Sequence, residues 1–170
     1  ARLKSVGGNV FLYRGKFSEI GRALQEAGVP TEGGVHGVVY DLGVSSFQLD
    51  LPERGFGFSH QGPLDMRMDP DAGESARDLL ARISLEEIER ILREFGEESS
   101  ARRIARAIDR RRKEGSLLST GDLAQAVEGV LPRRGRRIHP ATRTFQAIRL
   151  AVNDELTELR QALLEIDRFL

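Results

Sequence analysis

The hydrophobic pattern of the chain predicts an α/β unit first and a series of helices after it. Residues 9–13 (NVFLY) and 35–42 (VHGVVYDL) are short, mostly apolar runs, which are typical of buried strands. Between them, residues 17–27 carry apolar side chains at helical spacing, and Gly28 follows as a stop signal. This order predicts a βαβ unit with parallel strands and a right-handed crossover.

An irregular segment and a run of helices follow. Residues 43–71 are rich in Gly, Pro, Asp and Ser without a sustained period, and long irregular loops in compact proteins are usually functional. Beyond Glu74 the period is helical, and Ser84 with Glu87 three residues later predicts a capping box. The predicted helices cover residues 75–82, 84–95, 99–113, 120–131 and 140–169. The last of them has an apolar face made of Phe145, Ile148, Ala151, Val152, Leu156, Leu159 and Leu163.

These elements predict an α/β fold that is interrupted by an inserted helical domain. The last helix would return to the α/β part after the insertion. A doubly wound sheet normally has more than two strands. Residues 1–5 have the pattern of a helix tail that ends at Gly7 and Gly8, so we expect a further segment upstream.

Charge is balanced over the whole chain but divided along it. The 170 residues carry 26 basic and 26 acidic side chains. Residues 51–100 contain 12 acidic and 6 basic side chains, whereas residues 101–150 contain 4 acidic and 13 basic ones. The second stretch therefore has the charge of a surface that binds a polyanion.

Composition excludes several classes of protein. A hydrophobic content of 39% excludes a disordered chain, and the absence of cysteine excludes disulfides and thiolate metal sites. The three histidines are scattered and do not suggest a metal site. No apolar run approaches the roughly 20 residues of a membrane span. We expect a soluble protein of the cytoplasm.

Asp41 is the first candidate for chemistry, because it follows a predicted strand and ligands of open α/β sheets bind beyond the carboxyl ends of strands. The turn after it contains Gly43, Ser45 and Ser46, whose amides and hydroxyls suit a polar ligand. The alternative is an aspartate that only satisfies the amides of the turn.

Five motifs, the last of them in two pieces, together resemble the signatures of a known enzyme family. They are residues 41–48 (DLGVSSFQ), 54–58 (RGFGF), 62–70 (GPLDMRMDP), 101–108 (ARRIARAI), 139–149 (HPATRTFQAIR) and 152–156 (VNDEL). In this order they resemble the bacterial 16S rRNA cytosine-N4 methyltransferases, and the resemblance covers essentially all 170 residues. It implies a partial Rossmann-like sheet, S-adenosylmethionine as cofactor, and 16S ribosomal RNA in the small ribosomal subunit as partner.

The resemblance also implies roles for individual residues. Phe17 would stack on the adenine of the cofactor, while Asp41 and Gln48 would bind its polar groups. We expect Asp41, Ser45, Ser46 and Asp65 to orient and activate the cytosine amine. Without the resemblance, Phe17 would be a packing residue at a helix start, Gln48 a surface residue, and Asp65 a residue that builds the loop.

The basic stretch is predicted to bind RNA. The residues expected to contact it are Arg102, Arg103, Arg106, Arg133, Arg134, Arg136, Arg137, His139, Arg143 and Arg149. For the cluster at residues 110–113, a solvated face is an equally good explanation.

Two departures from the family pattern shape the predicted domains. The family's glycine-rich loop would precede Ala1 and its closing segment would follow Leu170, so we expect this chain by itself to bind the cofactor weakly or not at all. The predicted division is 1–49 with 141–170 for the methyltransferase domain and 50–140 for a helical substrate-recognition domain. One alternative is a non-catalytic RNA-binding helical domain on a vestigial α/β support. Another, a DNA amine methyltransferase, is disfavoured because the Pro-Pro-aromatic box of those enzymes is missing.

Overall fold

The computed structural model describes residues 10–30, 34–132, 135 and 138–170. In this part of the chain the regular secondary structure is helical, apart from one isolated β-bridge between Pro63 and Ser119. They are α1 (Ile20–Glu26), α2 (Ser46–Asp50), α3 (Ala76–Arg82), α4 (Leu85–Glu94), α5 (Ala101–Lys113), α6 (Thr120–Glu128), α7 (Thr142–Val152) and α8 (Glu155–Ile166). Single 3₁₀ turns occupy Phe17–Glu19 and Pro52–Arg54. None of these helices is long and apolar enough to cross a membrane.

The chain divides into two compact units. The first consists of Ala1–Asp41 and Glu155–Leu170, and the second consists of Leu42–Asp154. In the second unit, α4 packs against α5 and α7, and α5 packs against α6. Its core is made of aliphatic side chains with little or no exposure, including Leu92, Ile104, Ile108, Leu123 and Ile148. In the first unit, α8 packs against the Phe17–Glu19 turn and α1.

Serine caps explain where the helices of the second unit begin. Ser75 and Ser119 form complete capping boxes at α3 and α6. At α4 only half of the predicted box forms: the Ser84 hydroxyl accepts from the Glu87 amide, 3.1 Å away. The Glu87 carboxylate instead pairs with Arg90, one turn further along the helix, at 2.6 Å. A local ion pair has therefore replaced the reciprocal bond of the box.

The two predicted strands are not present among the described residues. Residues 10–13 and 35–42 are neither helical nor paired in a sheet. Their apolar side chains are largely exposed, with Val39 at 94%, and the Val35 amide donates to the Phe169 carbonyl instead of to a neighbouring strand. The physical reason is that a strand is stabilised by its ladder, and two short isolated runs are marginal without further strands. The apolar pattern alone does not report whether those partners are in place.

Two further predictions about elements are corrected. The segment 43–71 is not irregular throughout, because it contains α2 and the Pro52–Arg54 turn. The last helix is broken in two, since α7 ends at Val152 and Asp154 has a left-handed backbone with φ of 47°. Leu156 and Leu163, which we placed on its apolar face, are each 51% exposed. A helical period does not report a break when the apolar spacing continues across it.

Candidate functional site

Phe17 and Asp41 lie in the first unit and present an aromatic ring and a carboxylate. The Phe17 ring is 38% exposed and meets the Tyr40 ring edge-on, with 5.9 Å between centroids. The Tyr40 hydroxyl donates to the Ala162 carbonyl of α8 at 3.2 Å, and burial raises the pKa of this phenol, so it stays a donor. The Asp41 carboxylate is exposed and has no bonding partner among the described residues. It therefore remains available to a ligand.

Ser45, Ser46 and Gln48 lie in the second unit, at the start of α2. Ser45 and Gln48 form a capping box: the Ser45 hydroxyl accepts from the Gln48 amide, and Gln48 Oε1 accepts from the Ser45 amide at 2.9 Å. This leaves the Gln48 side-chain nitrogen and the exposed Ser46 hydroxyl as the groups that can meet a ligand. The S-x-x-Q spacing was a signal for this cap that the sequence analysis did not use.

Asp65 is bonded to its neighbour Arg67 by three contacts. Its carboxylate accepts from the Arg67 backbone amide at 3.0 Å, from Nε at 2.9 Å and from Nη2 at 2.8 Å. Arg54 also holds this segment, donating to the carbonyls of Arg67 and Met68 at 2.8 and 3.0 Å. In this arrangement Asp65 organises the loop. A direct role in the chemistry would require the Asp65–Arg67 pair to open.

Asn153 is an anchoring residue that the sequence analysis missed as an individual position. Its Oδ1 accepts from the Met68 amide at 2.7 Å, and its Nδ2 donates to the Met66 carbonyl at 2.8 Å. Nδ2 also donates to the Arg149 carbonyl in the last turn of α7, and Asn153 is the residue at which this helix ends. Met66 is fully buried and has φ of 62°, a strained value for a residue other than glycine. The Asn153 amide therefore ties the 62–70 segment to the end of α7.

The Asp65–Arg67 pair makes stability depend on pH on the acid side. Hydrogen bonds from the Arg67 side chain lower the pKa of Asp65 below its ordinary 3.8. The pKa of Asp65 is lower in the folded than in the unfolded state. The ion pair therefore stabilises the fold fully at pH values above the unfolded pKa, and the stabilisation is lost as the pH falls through the folded pKa.

We expect Asp65→Asn to lower the free energy of unfolding at pH 7. At pH values below the folded pKa of Asp65, the free energies of unfolding of the variant and of wild type should differ less. Urea denaturation at several pH values measures this, with Asp50→Asn as control, and a difference independent of pH would contradict it.

The arginines of α5 divide into an exposed set and an internal one. Arg102, Arg106 and Arg110 recur every four residues and lie on one exposed face. Arg112 instead donates to the Leu80 and Ile83 carbonyls, both at 2.5 Å, at the end of α3. The charge run at residues 110–113 is therefore partly structural.

Three of the other residues predicted to bind RNA, His139, Arg143 and Arg149, lie in α7 or just before it. Arg143 is exposed and donates to the Glu97 carbonyl at 3.1 Å. Both nitrogens of His139 are bonded internally, Nε2 to Glu128 at 3.0 Å and Nδ1 to the Ala141 amide at 3.2 Å. Arg149 Nη1 lies 3.8 Å from the place that a Cβ on Gly43 would take, beside the Ser45 turn. Arg133, Arg134, Arg136 and Arg137 lie outside the described residues.

Comparison with known proteins places these features in a family. The model of the MraW methylase family matches residues 1–170. A protein of Nitratidesulfovibrio vulgaris named ribosomal RNA small subunit methyltransferase H is 52% identical over 166 residues, 96% of this chain and 50% of that protein. Proteins of the same name from Methylococcus capsulatus and Methylobacterium nodulans are 50% and 48% identical, over 89% and 98% of this chain and 50% and 48% of their own lengths. The chain thus spans about half the length of the curated relatives it matches. Because the family match runs over every position, the chain belongs to the MraW methylase family.

Proposed function

We propose that the full-length protein transfers a methyl group from S-adenosylmethionine to the N4 amine of a cytosine in 16S ribosomal RNA. The observation that carries this proposal is the family match over residues 1–170, together with relatives about half identical that are named ribosomal RNA small subunit methyltransferase H. The five motifs of the sequence support the cytosine amine as the acceptor. The small ribosomal subunit, or its RNA, is the corresponding partner.

The groups on the candidate residues suit the cofactor. S-adenosylmethionine, when bound, supplies an electrophilic methyl group. Phe17 has an exposed ring that can stack on an adenine, and Asp41 has a carboxylate with no competing partner among the described residues. Gln48 keeps its side-chain nitrogen as a donor, because its oxygen is used in the cap of α2. The three residues thus offer a flat surface, an anion and a donor.

Activation of the cytosine amine is assigned to the turn from Asp41 to Ser46. The amine is a poor nucleophile because its lone pair is delocalised into the ring, so acceptors that take its protons raise its electron density. The Asp41 carboxylate and the Ser46 hydroxyl are the acceptors proposed to meet the amine. Ser45 positions them, because its hydroxyl and carbonyl are bonded to Gln48 and Leu49 at the start of α2. Holding the amine in line with the methyl group then supplies orientation and electrostatic help. Asp65 takes the second place in this proposal, since its carboxylate is bonded to Arg67.

The fold of the full-length protein follows from the same proposal. Residues 1–49 with 141–170 belong to a Rossmann-like methyltransferase domain, and residues 50–140 form the helical domain that recognises the substrate. The exposed apolar side chains of Val10, Phe11, Leu12 and Val39 support a sheet at residues 9–13 and 35–42, because a sheet would bury them.

A transfer assay tests the proposed function. Full-length protein is incubated with purified small ribosomal subunits and S-adenosylmethionine labelled on the methyl group, and the digested RNA is analysed by mass spectrometry. The expected product is a cytidine carrying the label on N4. RNA binding without any transfer would overturn the proposal and favour a non-catalytic RNA-binding domain. Transfer to duplex DNA alone would instead indicate a DNA amine methyltransferase.

Binding to RNA is expected to be strongly salt-dependent. An extruded base costs a few kcal/mol of lost stacking, and phosphate contacts from exposed arginines such as Arg102, Arg103 and Arg106 offset this cost. The logarithm of the binding constant should fall by roughly 0.7 to 0.9 per contact for each tenfold rise in salt. Arg102→Ala should reduce the slope by about one contact, whereas Arg93→Ala, an exposed arginine of the acidic part, should leave it unchanged. Fluorescence titrations at several salt concentrations measure the slope, and a flat response would exclude this surface.

A further inference from the structure

A pocket of about 390 Å³ opens at the start of α5, away from the Ser45 turn in sequence. The segment before α5 forms one wall, and the start of α7 with the residues preceding it forms the other. Its lining consists of Glu98, Ser99, Ser100, Leu131, Ile138, His139, Pro140 and Arg143. All of these residues belong to the second unit.

Glu98 is the most unusual group in this lining. Its side chain is only 6% exposed, which is rare for a carboxylate. Oε1 accepts from the Ser100 amide at 3.0 Å, while Oε2 has no bonding partner among the described residues. Oε2 is therefore the acceptor of this carboxylate that remains for a ligand. Because Glu98 lines the pocket and a carboxylate can only accept, a ligand with an N–H group is complementary to it.

Two arginines are bonded to residues next to the lining of the pocket. Arg143 is held by its bond to the Glu97 carbonyl at 3.1 Å, next to Glu98. Arg103 donates to the Val130 carbonyl at 3.4 Å, and Val130 precedes the lining residue Leu131. Both side chains are exposed, and guanidinium groups suit phosphate. A ligand that carries an anion outside the pocket is favoured, and a basic peptide is not.

The remaining walls are carbon surfaces. The nitrogens of His139 are already bonded, and Phe58 covers its ring, with 4.3 Å between centroids. His139 therefore has no unbonded nitrogen to offer a ligand. Leu131, Ile138 and Pro140 add apolar surface. Such walls suit a flat ring, because an aromatic base buries its faces and keeps its polar edge for a hydrogen bond.

We propose that this pocket binds one unpaired nucleotide of the RNA substrate, whose exocyclic amine donates to Glu98 Oε2 and whose phosphate faces Arg143 and Arg103. The inference rests on the proposed function, since it takes RNA to be the substrate. It adds a recognition site for a second nucleotide, separate from the residues assigned to methyl transfer. A cytosine suits the pocket because its amine is a donor, whereas uracil has a carbonyl at the same position that the carboxylate repels.

The test compares two carboxylates that are neighbours in the chain. Full-length protein is titrated with short single-stranded oligocytidine and oligouridine RNA at one salt concentration. We expect wild type to prefer oligocytidine, and Glu98→Gln to weaken oligocytidine binding roughly tenfold and abolish the preference. Glu97→Gln removes the same charge from an exposed side chain and should leave binding unchanged or slightly tighter. The direction of the change in affinity distinguishes a hydrogen bond to Glu98 from simple charge repulsion. Removing a negative charge that only lies near RNA strengthens binding, whereas removing the acceptor of a hydrogen bond weakens it.

A second variant keeps the test valid if Glu98→Gln does not fold, which circular dichroism would detect. Ser99 is exposed and lines the pocket, so Ser99→Leu narrows it without changing charge or the core. It should weaken oligocytidine binding as Glu98→Gln does. If wild type binds RNA and folded Glu98→Gln or Ser99→Leu binds it equally well, the proposed nucleotide pocket is wrong, but the proposed function is unaffected. Wild type that binds neither RNA nor small subunits overturns both.

Discussion

Replacing Asp41 with asparagine in the full-length enzyme is expected to lower kcat/KM for methyl transfer about 100- to 1,000-fold. Asparagine keeps the shape of the side chain but not its charge. The substitution therefore weakens both the interaction with the cytosine amine and the interaction with the cofactor. The carboxylate has no bonding partner among the described residues, so folding should be unaffected. The measurement is the initial rate of label transfer to small ribosomal subunits.

Asp50→Asn is the matched control for this prediction. Asp50 is also an exposed aspartate nearby in the chain, at the end of α2, but it lies outside the Asp41 to Ser46 turn. It should transfer methyl groups at the rate of wild type. If Asp41→Asn kept the wild-type rate, Asp41 would be removed from the mechanism, and acceptors on the turn's backbone would have to be sufficient.

Asn153→Ala is expected to lower the free energy of unfolding of the chain by about 2–4 kcal/mol. The substitution removes the bonds to the Met68 amide and to the Met66 and Arg149 carbonyls. It also releases a segment in which Met66 holds a left-handed backbone while fully buried. Urea denaturation followed by circular dichroism measures the loss.

Gln146→Ala provides the control for Asn153. It removes an amide side chain from an exposed position of the same helix, α7, and should change stability by no more than about 0.5 kcal/mol. A loss for Asn153→Ala as small as that of the control would show that the other bonds of the 62–70 segment, including those from Arg54, hold it without Asn153.

The helices of the second unit could be predicted from the sequence because their signals are local. Apolar spacing and a preceding serine predicted α3 and α4 to within one residue at each end. Capping and helical burial depend on side chains three or four positions apart, and these remain neighbours in any context. The break after Val152 was not predictable in this way, because the Asn153 amide that ends α7 bonds to Met66, far away in the sequence.

For the candidate site, the residue types were predictable but their availability was not. Asp41 and Asp65 are chemically equivalent in the sequence, yet one carboxylate has no partner among the described residues and the other is bonded to Arg67. Similarly, the arginines of α5 form one charge run, but only the fold turns Arg112 inward to the end of α3. Glu98 was not singled out at all, since nothing in the sequence marks a glutamate for burial.

The sequence by itself therefore determined the family, through motifs that are matched position by position, and the helices, through local periodicity and caps. Only the tertiary structure decided which polar groups are already bonded and which remain for a ligand, because a hydrogen bond joins atoms that the chain brings together from distant positions. The exposed apolar residues 10–12 and Val39 follow the same rule: an apolar run specifies a need for burial, but its partners determine whether a strand forms.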